Sequence, residues 1–275
     1  MLDKNQRFGE PIICDYKGRP IYAKTHGQNE LAKAIDKHDI LFVNGPAGTG
    51  KTFIAVCKAV KDIDDNKYQK LVITRPAVES GEELGALPGD VNDKISPYMK
   101  PIYQCIEQLK NRPKSTVTDN GDRKGSQNGN HYVKGKKKKI NKNIINNPED
   151  TIENWYSKII ISPLAYMRGL TYSDSFIIMD EAQNVTATQM KLFLTRLGLN
   201  SKVVITGDAS QSDLDRRTRS GFNHAQKLLK GVEGIGFITL TENDIVRHKL
   251  VKDIIMKYEH EDTFRTMVNS NEEPA

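Results

Sequence analysis

Short runs of apolar, largely β-branched residues recur along the chain and are separated by helix-like stretches. Continuous Val, Ile and Leu runs are typical of strands buried on both faces, and the intervening lengths suit crossover helices. The pattern therefore predicts an α/β fold, a mostly parallel sheet with helices on both faces. The six runs are ILFV (40–43), LVIT (71–74), IIIS (159–162), FIIM (176–179), VVIT (203–206) and FITL (237–240).

Two segments depart from this pattern. Residues 11–25 read as two extended pieces joined at Tyr16, Lys17 and Gly18, and we expect a small hairpin packed on the edge of the sheet. Residues 111–147 are rich in Lys, Asn, Gly and Asp, and we expect a disordered or exposed basic insertion. The predicted organisation is an N-terminal arm at 1–27, a domain at 28–260 interrupted by 111–147, and a tail at 261–275.

Composition adds the general class of protein. Apolar residues at 37% and charged residues at 28% of 275 predict a soluble chain with one large core. No apolar run approaches the roughly 20 residues of a membrane helix, and the first ten residues lack the apolar segment of an export signal. Three widely spaced cysteines fit neither a disulfide framework nor a zinc site. We therefore expect a cytoplasmic protein without a membrane partner.

The positive charge is confined to one segment. The formal net charge is +6, but residues 110–147 carry eleven Lys and Arg against two Asp, so the remaining residues together carry −3. Charge alone therefore does not make the body of the protein a nucleic-acid binder. The run KGKKKK within the insertion reads equally well as a solvated surface or as a phosphate-backbone contact.

GPAGTGKT, residues 45–52, fits the phosphate-loop pattern G-x-x-x-x-G-K-[ST] between a predicted strand and an apolar helix. Its glycines let backbone amides surround a phosphate, Lys51 would reach the β- and γ-phosphates, and Thr52 would ligate Mg²⁺. The alternative is a Gly-rich turn with a neighbouring lysine. The predicted nucleotide-binding residues are Gly45, Pro46, Ala47, Gly48, Thr49, Gly50, Lys51 and Thr52.

Acidic and polar residues follow two later strands. FIIMDEAQN places Asp180 at a strand end, where it would hold Mg²⁺ together with Thr52, and Glu181 beside it would orient or deprotonate water. The two acids could instead cap the next helix. VVITGDASQSDL brings Gln211 to the same edge, where we expect it to sense the γ-phosphate. The chain lacks the Asn-Lys-x-Asp element that reads guanine, which favours ATP.

Taken together and in order, these motifs resemble the PhoH family of ATPases of bacteria and their phages. The resemblance extends from about residue 25 to 260 except for the insertion. It implies a RecA-like fold related to the first lobe of superfamily-one helicases, ATP with Mg²⁺, and a role directed at RNA. The motifs are GPAGTGKT, LVITRPAVESGEELGALPGD, ISPLAYMRGLTYSDSFIIMDEAQN, MKLFLTRLG, VVITGDASQSDL and DIVRH.

The resemblance also assigns residues outside the phosphate loop. Gln28 lies where such ATPases place an adenine-reading glutamine, although a helix-surface glutamine is the alternative. Arg75 in TRPAV and Arg168 in LAYMRG resemble helicase positions that contact single-stranded nucleic acid; they fit structural turns and core pairs as well. Some relatives carry a PIN nuclease domain ahead of the ATPase, which we do not expect here.

Arg247 in DIVRH resembles the arginine that helicases supply to an ATP held between two lobes. We expect no second lobe, so Arg247 would contact the P-loop of its own chain or the nucleotide of a neighbouring copy. The second alternative favours a homo-oligomer, a hexameric ring with ATP at its seams; a surface salt bridge is the third. The sequence thus predicts an Mg²⁺-dependent ATPase that remodels or moves along RNA, or else a slow nucleotide-gated switch that recruits an RNA-processing partner.

Overall fold

A computed structural model describes residues 7–76, 91–110, 152–212, 214, 218–247, 250, 251, 254 and 257. The predicted basic insertion, the tail at 261–275 and His248 lie outside the described residues. The strands are β1 (Phe8–Cys14), β2 (Pro20–Ala23), β3 (Ile40–Asn44), β4 (Lys70–Thr74), β5 (Ile159–Ile161), β6 (Ser175–Met179), β7 (Lys202–Gly207) and β8 (Ile235–Thr239). The helices are α1 (His26–Lys37), α2 (Lys51–Asp64), α3 (Val91–Lys110), α4 (Ile152–Ser157), α5 (Ala187–Leu194) and α6 (Gly221–Leu228).

Six strands form one sheet in the order β5-β4-β6-β7-β3-β8, and every neighbouring pair is parallel. Each of the six apolar runs lies in one of these strands, which confirms the predicted α/β fold. β3 is flanked by β7 and β8, so the loop that leaves its carboxyl end emerges between two neighbouring strand ends. Ligands of open parallel sheets bind at this carboxyl edge.

Each face of the sheet is covered by its own layer of helices. Alternate strand residues point to opposite faces, so Leu41 and Val43 join one core while Phe42 joins the other. The first core packs under α1, α2 and α3, and it includes the fully buried Trp155, as the sequence predicted for that side chain. The second core packs under α5 and α6 and contains Phe193 and Phe222.

The N-terminal hairpin forms as predicted, with β1 antiparallel to β2. Its predicted place on the sheet edge was wrong, because it forms a separate two-stranded sheet that packs on α1 and α2. Ile12 and Ala23 bury their side chains in the core beneath these helices. In the described part of the chain, no helix is both long and apolar enough to cross a membrane.

Candidate functional site

The predicted phosphate loop, residues 45–50, joins the end of β3 to the start of α2. Gly48 and Gly50 have φ angles of +83° and +84°, which a residue with a Cβ rarely adopts. Gly50 is the N-cap of α2 and provides no side-chain cap, so the first amides of the helix are free to bind an anion. The segment therefore has the backbone geometry of a phosphate site.

Lys51 turns back over this loop. Its Nζ atom donates hydrogen bonds to the carbonyl oxygens of Gly45 and Pro46, the latter at 2.9 Å. Burial lowers the pKa of the Lys51 ammonium, and neighbouring carboxylates, Asp208 first among them, act against that shift. A phosphate bound in the loop would give this ammonium a charged partner in place of neutral carbonyls.

Asp180, directly after β6, is brought to the loop by two hydroxyl groups. Thr52 Oγ1 donates to Asp180 Oδ1 at 2.8 Å, and Thr206 Oγ1 donates to the same oxygen at 2.6 Å. The part of the chain that the structure describes holds no group of three or more His, Cys, Asp or Glu suited to a metal. Mg²⁺ needs no such group, since it takes one or two protein oxygens and completes its shell with phosphate and water. Thr52 and Asp180 fit that requirement.

Glu181 has protein partners on both carboxylate oxygens. Arg75 Nη2 lies 3.0 Å from Glu181 Oε1 and 3.3 Å from Asp180 Oδ2. Gln183 Nε2 donates to Glu181 Oε2 at 2.8 Å. Arg75 therefore faces the acidic pair of the nucleotide site, and its contact with nucleic acid stays a prediction. Sequence patterns did not identify Gln183 as a site residue. Its position two residues after Glu181 was the only indication that the sequence offered.

The loop after β7 contributes a buried carboxylate. Asp208 Oδ1 accepts from the backbone N–H and the hydroxyl of Ser210, whereas Asp208 Oδ2 is buried without a hydrogen-bond partner. The backbone N–H of Ala209 donates to Asn44 Oδ1 at 2.9 Å, which fixes this loop beside the P-loop strand. Gln211 belongs to the same loop, but its side chain is exposed. Its γ-phosphate contact stays a prediction.

Gln28 lies beside the P-loop, as predicted. It is buried on the first turn of α1, and its Nε2 donates to Thr49 O at 2.9 Å. Its Oε1 accepts from the Lys24 N–H at 2.9 Å. Gln28 thus connects α1 to the phosphate loop, and the helix-surface alternative is excluded for this side chain. Adenine recognition by Gln28 stays a prediction.

Arg247 contacts the P-loop of its own chain. A Cβ placed on Gly48 would lie 2.6 Å from Arg247 Nε, and the Val246 N–H donates to Gly48 O at 3.0 Å. The preceding turn is fixed to α1, because Asp244 Oδ1 accepts from Thr25 Oγ1 at 2.6 Å. This geometry agrees with the first of the alternatives considered for Arg247, and contact with the nucleotide of a neighbouring copy stays a prediction. The ring, which was inferred from the second, stays a prediction without this support.

Arg168 and the residues that flank the basic insertion lie at opposite edges of the sheet. Arg168 is exposed after β5, on the carboxyl edge that also carries the P-loop. The basic insertion is attached at the other edge, where α2 ends at Asp64. Lys110 Nζ and Trp155 Nε1, on the two sides of the insertion, both bind the Asp64 carboxylate. We call Asp64, Lys110 and Trp155 the insertion base.

Comparison with known families identifies relatives over most of the chain. The family described as PhoH-like protein matches residues 20–259. A PhoH-like protein of Bacillus subtilis is 42% identical over 252 residues, which is 92% of this chain and 68% of that protein. A PhoH-like protein of Synechocystis is 41% identical over 94% of this chain and 68% of its own length. Protein PhoH of Escherichia coli is 34% identical over 87% of this chain, which spans 58% of that relative.

Among solved structures, the Hef helicase domain of Pyrococcus furiosus aligns with a TM-score of 0.38 and 15% identity, over 77% of this chain and 37% of that chain. The Pif1 helicase of Candida albicans aligns with a TM-score of 0.34 and 16% identity, over 79% of this chain and 39% of its own. The family match rests on sequence, and these two alignments are not needed for it.

Proposed function

This chain belongs to the PhoH family, and we propose that it binds ATP and hydrolyses it with Mg²⁺. The observation that carries the proposal is the hydrogen bond between Thr52, in the first turn of α2, and Asp180, directly after β6. It joins the first helical turn after the loop to a carboxylate two strands away, which a Gly-rich turn alone does not require. The same contact brings together a hydroxyl and a carboxylate oxygen that would hold the metal.

Each residue of the site has a distinct task in this proposal. The loop amides and Lys51 bind the β- and γ-phosphates, and Thr52 with Asp180 holds Mg²⁺. When bound, Mg²⁺ neutralises phosphate oxygens and so favours loss of the γ-phosphoryl group. Glu181 orients the attacking water and accepts its proton. Arg247, beside Gly48, adds positive charge where the γ-phosphate would lie.

The direct test measures nucleotide affinity and phosphate release on the same samples. We expect Lys51→Ala to lose tight nucleotide binding, because the ammonium pairs with the phosphates. We expect Glu181→Gln to keep binding and to lose about 10²- to 10⁴-fold in turnover, the range of general-base catalysis. Chelation of Mg²⁺ by EDTA should stop turnover of the wild type. Undiminished phosphate release by either variant would overturn the proposed chemistry.

We further propose that turnover is coupled to remodelling of, or movement along, single-stranded RNA by a homo-oligomer, with a hexameric ring as the favoured form. Exposed Arg168 on the nucleotide edge and the eleven basic residues of 110–147 support an RNA partner. The test is ATPase rate with and without RNA, with molar mass measured on the same samples. If RNA leaves the rate unchanged and ATP drives no strand separation, the slow nucleotide-gated switch replaces the remodelling proposal.

A further inference from the structure

Glu181 occupies an unusual backbone position with both of its oxygens engaged. Its φ and ψ are +57° and +39°, the left-handed region that residues with a Cβ rarely adopt. Non-glycine residues in that region are held there by surrounding structure and are concentrated at functional sites. The side-chain partners are Arg75 on Oε1 and Gln183 on Oε2, at 3.0 and 2.8 Å. The carboxylate is therefore held from two sides.

Sheet register explains why Arg75 reaches this position. β4 and β6 are parallel neighbours, with Thr74 opposite Met179, so the residues that follow them emerge side by side. The Asp180 N–H donates to Thr74 O at 3.0 Å, which extends the pairing one residue beyond the strands. Arg75 is thus placed against the acidic pair by the fold itself. Its side chain is only 21% exposed, so the ion pair is partly shielded from solvent.

Gln183 holds the other oxygen and connects it to a different strand. It lies in the turn after Glu181 and is 5% exposed. While its Nε2 donates to Glu181, its Oε1 accepts from the Asp208 N–H at 3.1 Å. Asp208 begins the loop after β7, and its own carboxylate raises the pKa of Lys51 against the effect of burial. One amide therefore links Glu181 to the loop that lies beside the P-loop lysine.

We propose that Arg75 and Gln183 are positioning residues that hold the Glu181 carboxylate in the orientation needed to align water, and that Gln183 ties this orientation to the position of Asp208. The inference rests on the proposed ATP hydrolysis. Arg75 and Gln183 both bind the carboxylate of Glu181, a residue that follows β6 and is not part of the phosphate loop. Their loss should therefore change the catalytic step and leave nucleotide binding intact, because a displacement of about 1 Å costs on the order of 10²-fold in rate.

The experiment compares Arg75→Ala, Arg75→Lys and Gln183→Met for kcat, KM and ADP affinity. We expect kcat to fall about 10- to 100-fold for Arg75→Ala and Gln183→Met, with KM and ADP affinity within about two-fold of wild type. Arg75→Lys retains the charge but not the planar fork, so it should recover part of the rate. Arg19→Ala removes an arginine paired with Asp15 at 2.7 Å in the remote hairpin and serves as the matched control.

A double-mutant cycle separates positioning from general damage to the fold. In the Glu181→Gln background, Arg75→Ala should produce a smaller further loss of kcat than in wild type, because the ion pair with Glu181 is already lost and only the contact with Asp180 at 3.3 Å remains. The same four proteins, unfolded in urea without nucleotide, should show a smaller midpoint shift for Arg75→Ala when Glu181 is already replaced. Additive losses in both measurements, or a kcat within two-fold of wild type, would overturn the positioning role.

The two proposals fail in different ways. If wild-type protein releases no phosphate from ATP, the proposed function fails, and the urea cycle still decides whether Arg75 is coupled to Glu181. If wild type hydrolyses ATP and Arg75→Ala accelerates it, then Arg75 restrains the base, and the positioning inference is wrong while the ATPase stands. Gln183→Met provides the second variant if Arg75→Ala does not fold.

Discussion

The two edges of the sheet use buried polar groups differently. At the amino edge, Lys202 Nζ donates hydrogen bonds to the carbonyl oxygens of Ile35 and His38, at the C-terminal end of α1. At the carboxyl edge, Asp208 Oδ2 and Thr74 Oγ1 are buried without hydrogen-bond partners. A buried polar atom without a partner costs stability, so its presence indicates a role other than holding the fold.

The two edges of the sheet also differ in how their carboxylate groups are arranged. The carboxyl edge brings three carboxylates, from the ends of β6 and β7, to within reach of Lys51. The amino edge instead carries the insertion base, where the single carboxylate of Asp64 meets Lys110 and Trp155. The Asp64 carboxylate at the amino edge thus has its partners within the protein, while the carboxyl edge holds an arrangement that a phosphate and a cation would complete. Substitutions of the same kind at the two edges should consequently differ in what they change.

The largest contrast is expected between Asp180→Asn and Asp64→Asn. Asp180→Asn removes the carboxylate that would hold Mg²⁺, and we expect kcat to fall about 10³-fold, which corresponds to several kcal/mol of lost charge stabilisation. Asp64→Asn weakens a partly exposed ion pair, so it should cost about 1 kcal/mol or less of unfolding free energy. Steady-state kinetics and urea unfolding on both variants provide the measurement.

The Asp64 variant is the control for this pair, since it also removes a negative charge beside the end of a secondary-structure element. Its ATPase rate should stay within two-fold of wild type. Equal rate losses in the two variants would show that the edges are not functionally distinct and that loss of charge acts through the whole fold.

The second contrast concerns two glycines with similar backbone angles. Gly48 and Gly18 have φ values of +83° and +72°, so alanine at either position should cost about 1–2 kcal/mol of stability. A Cβ at Gly48 would meet Arg247 at 2.6 Å, whereas one at Gly18 has no atom within 4 Å. We therefore expect Gly48→Ala to weaken nucleotide affinity about 10- to 100-fold, through about 1.4–2.8 kcal/mol of lost contact.

Titration with a fluorescent ATP analogue measures this difference, and Gly18→Ala is its internal reference for backbone strain. If both alanine variants bind the analogue like wild type, then the contact between Arg247 and Gly48 does not shape the phosphate loop. If both bind weakly, strain in the hairpin reaches the site through α1.

Sequence patterns predicted which residues lie at the carboxyl edge better than they predicted the contacts between those residues. Apolar runs located the strands, and the phosphate-loop spacing with Asp180 located the site, because both depend on local periodicity and turn chemistry. The ion pair of Arg75 with Glu181 depends on which strands are neighbours, and strand order is not encoded locally. The same limit applies to the hairpin, whose predicted position on the sheet edge was wrong.

Arg247 illustrates the remaining difficulty. Its motif indicated a phosphate partner, but only the path of the chain from Asp244 to Val246 shows that it lies beside the P-loop of its own chain. Gln183 was overlooked because an amide in a short turn has many roles, and its two hydrogen bonds join residues from different strands. Residues whose contacts connect different secondary-structure elements could therefore be identified only from the three-dimensional structure.

The third prediction concerns the amino edge alone. Lys202→Met keeps the length of the buried side chain but removes the donors to Ile35 O and His38 O. Two helix-end carbonyls then lose their partner, and we expect a loss of about 1–3 kcal/mol of unfolding free energy. ATPase activity of the folded protein should stay unchanged. Lys33→Met, at an exposed pair with Glu30, should cost no more than about 0.5 kcal/mol.

Urea unfolding monitored by circular dichroism gives both values. If Lys202→Met loses no more unfolding free energy than Lys33→Met, then the hydrogen bonds of the buried Lys202 ammonium do not stabilise the amino edge. A fall in the ATPase turnover of fully folded Lys202→Met would show that the amino edge contributes to the nucleotide site.

The smallest effect on turnover is expected from replacing residues 111–147 with a short Gly/Ser linker. Lys110 and Trp155 both bind Asp64 and so keep the two flanking helices together at the amino edge, away from the phosphate loop. Basal ATPase should therefore remain within two-fold of wild type. RNA affinity should fall, and its dependence on salt should become shallower, because fewer lysines release counterions from phosphates. If RNA still raises the ATPase rate of the shortened protein, the stimulating contact belongs to the nucleotide edge, with exposed Arg168 the first residue to replace there.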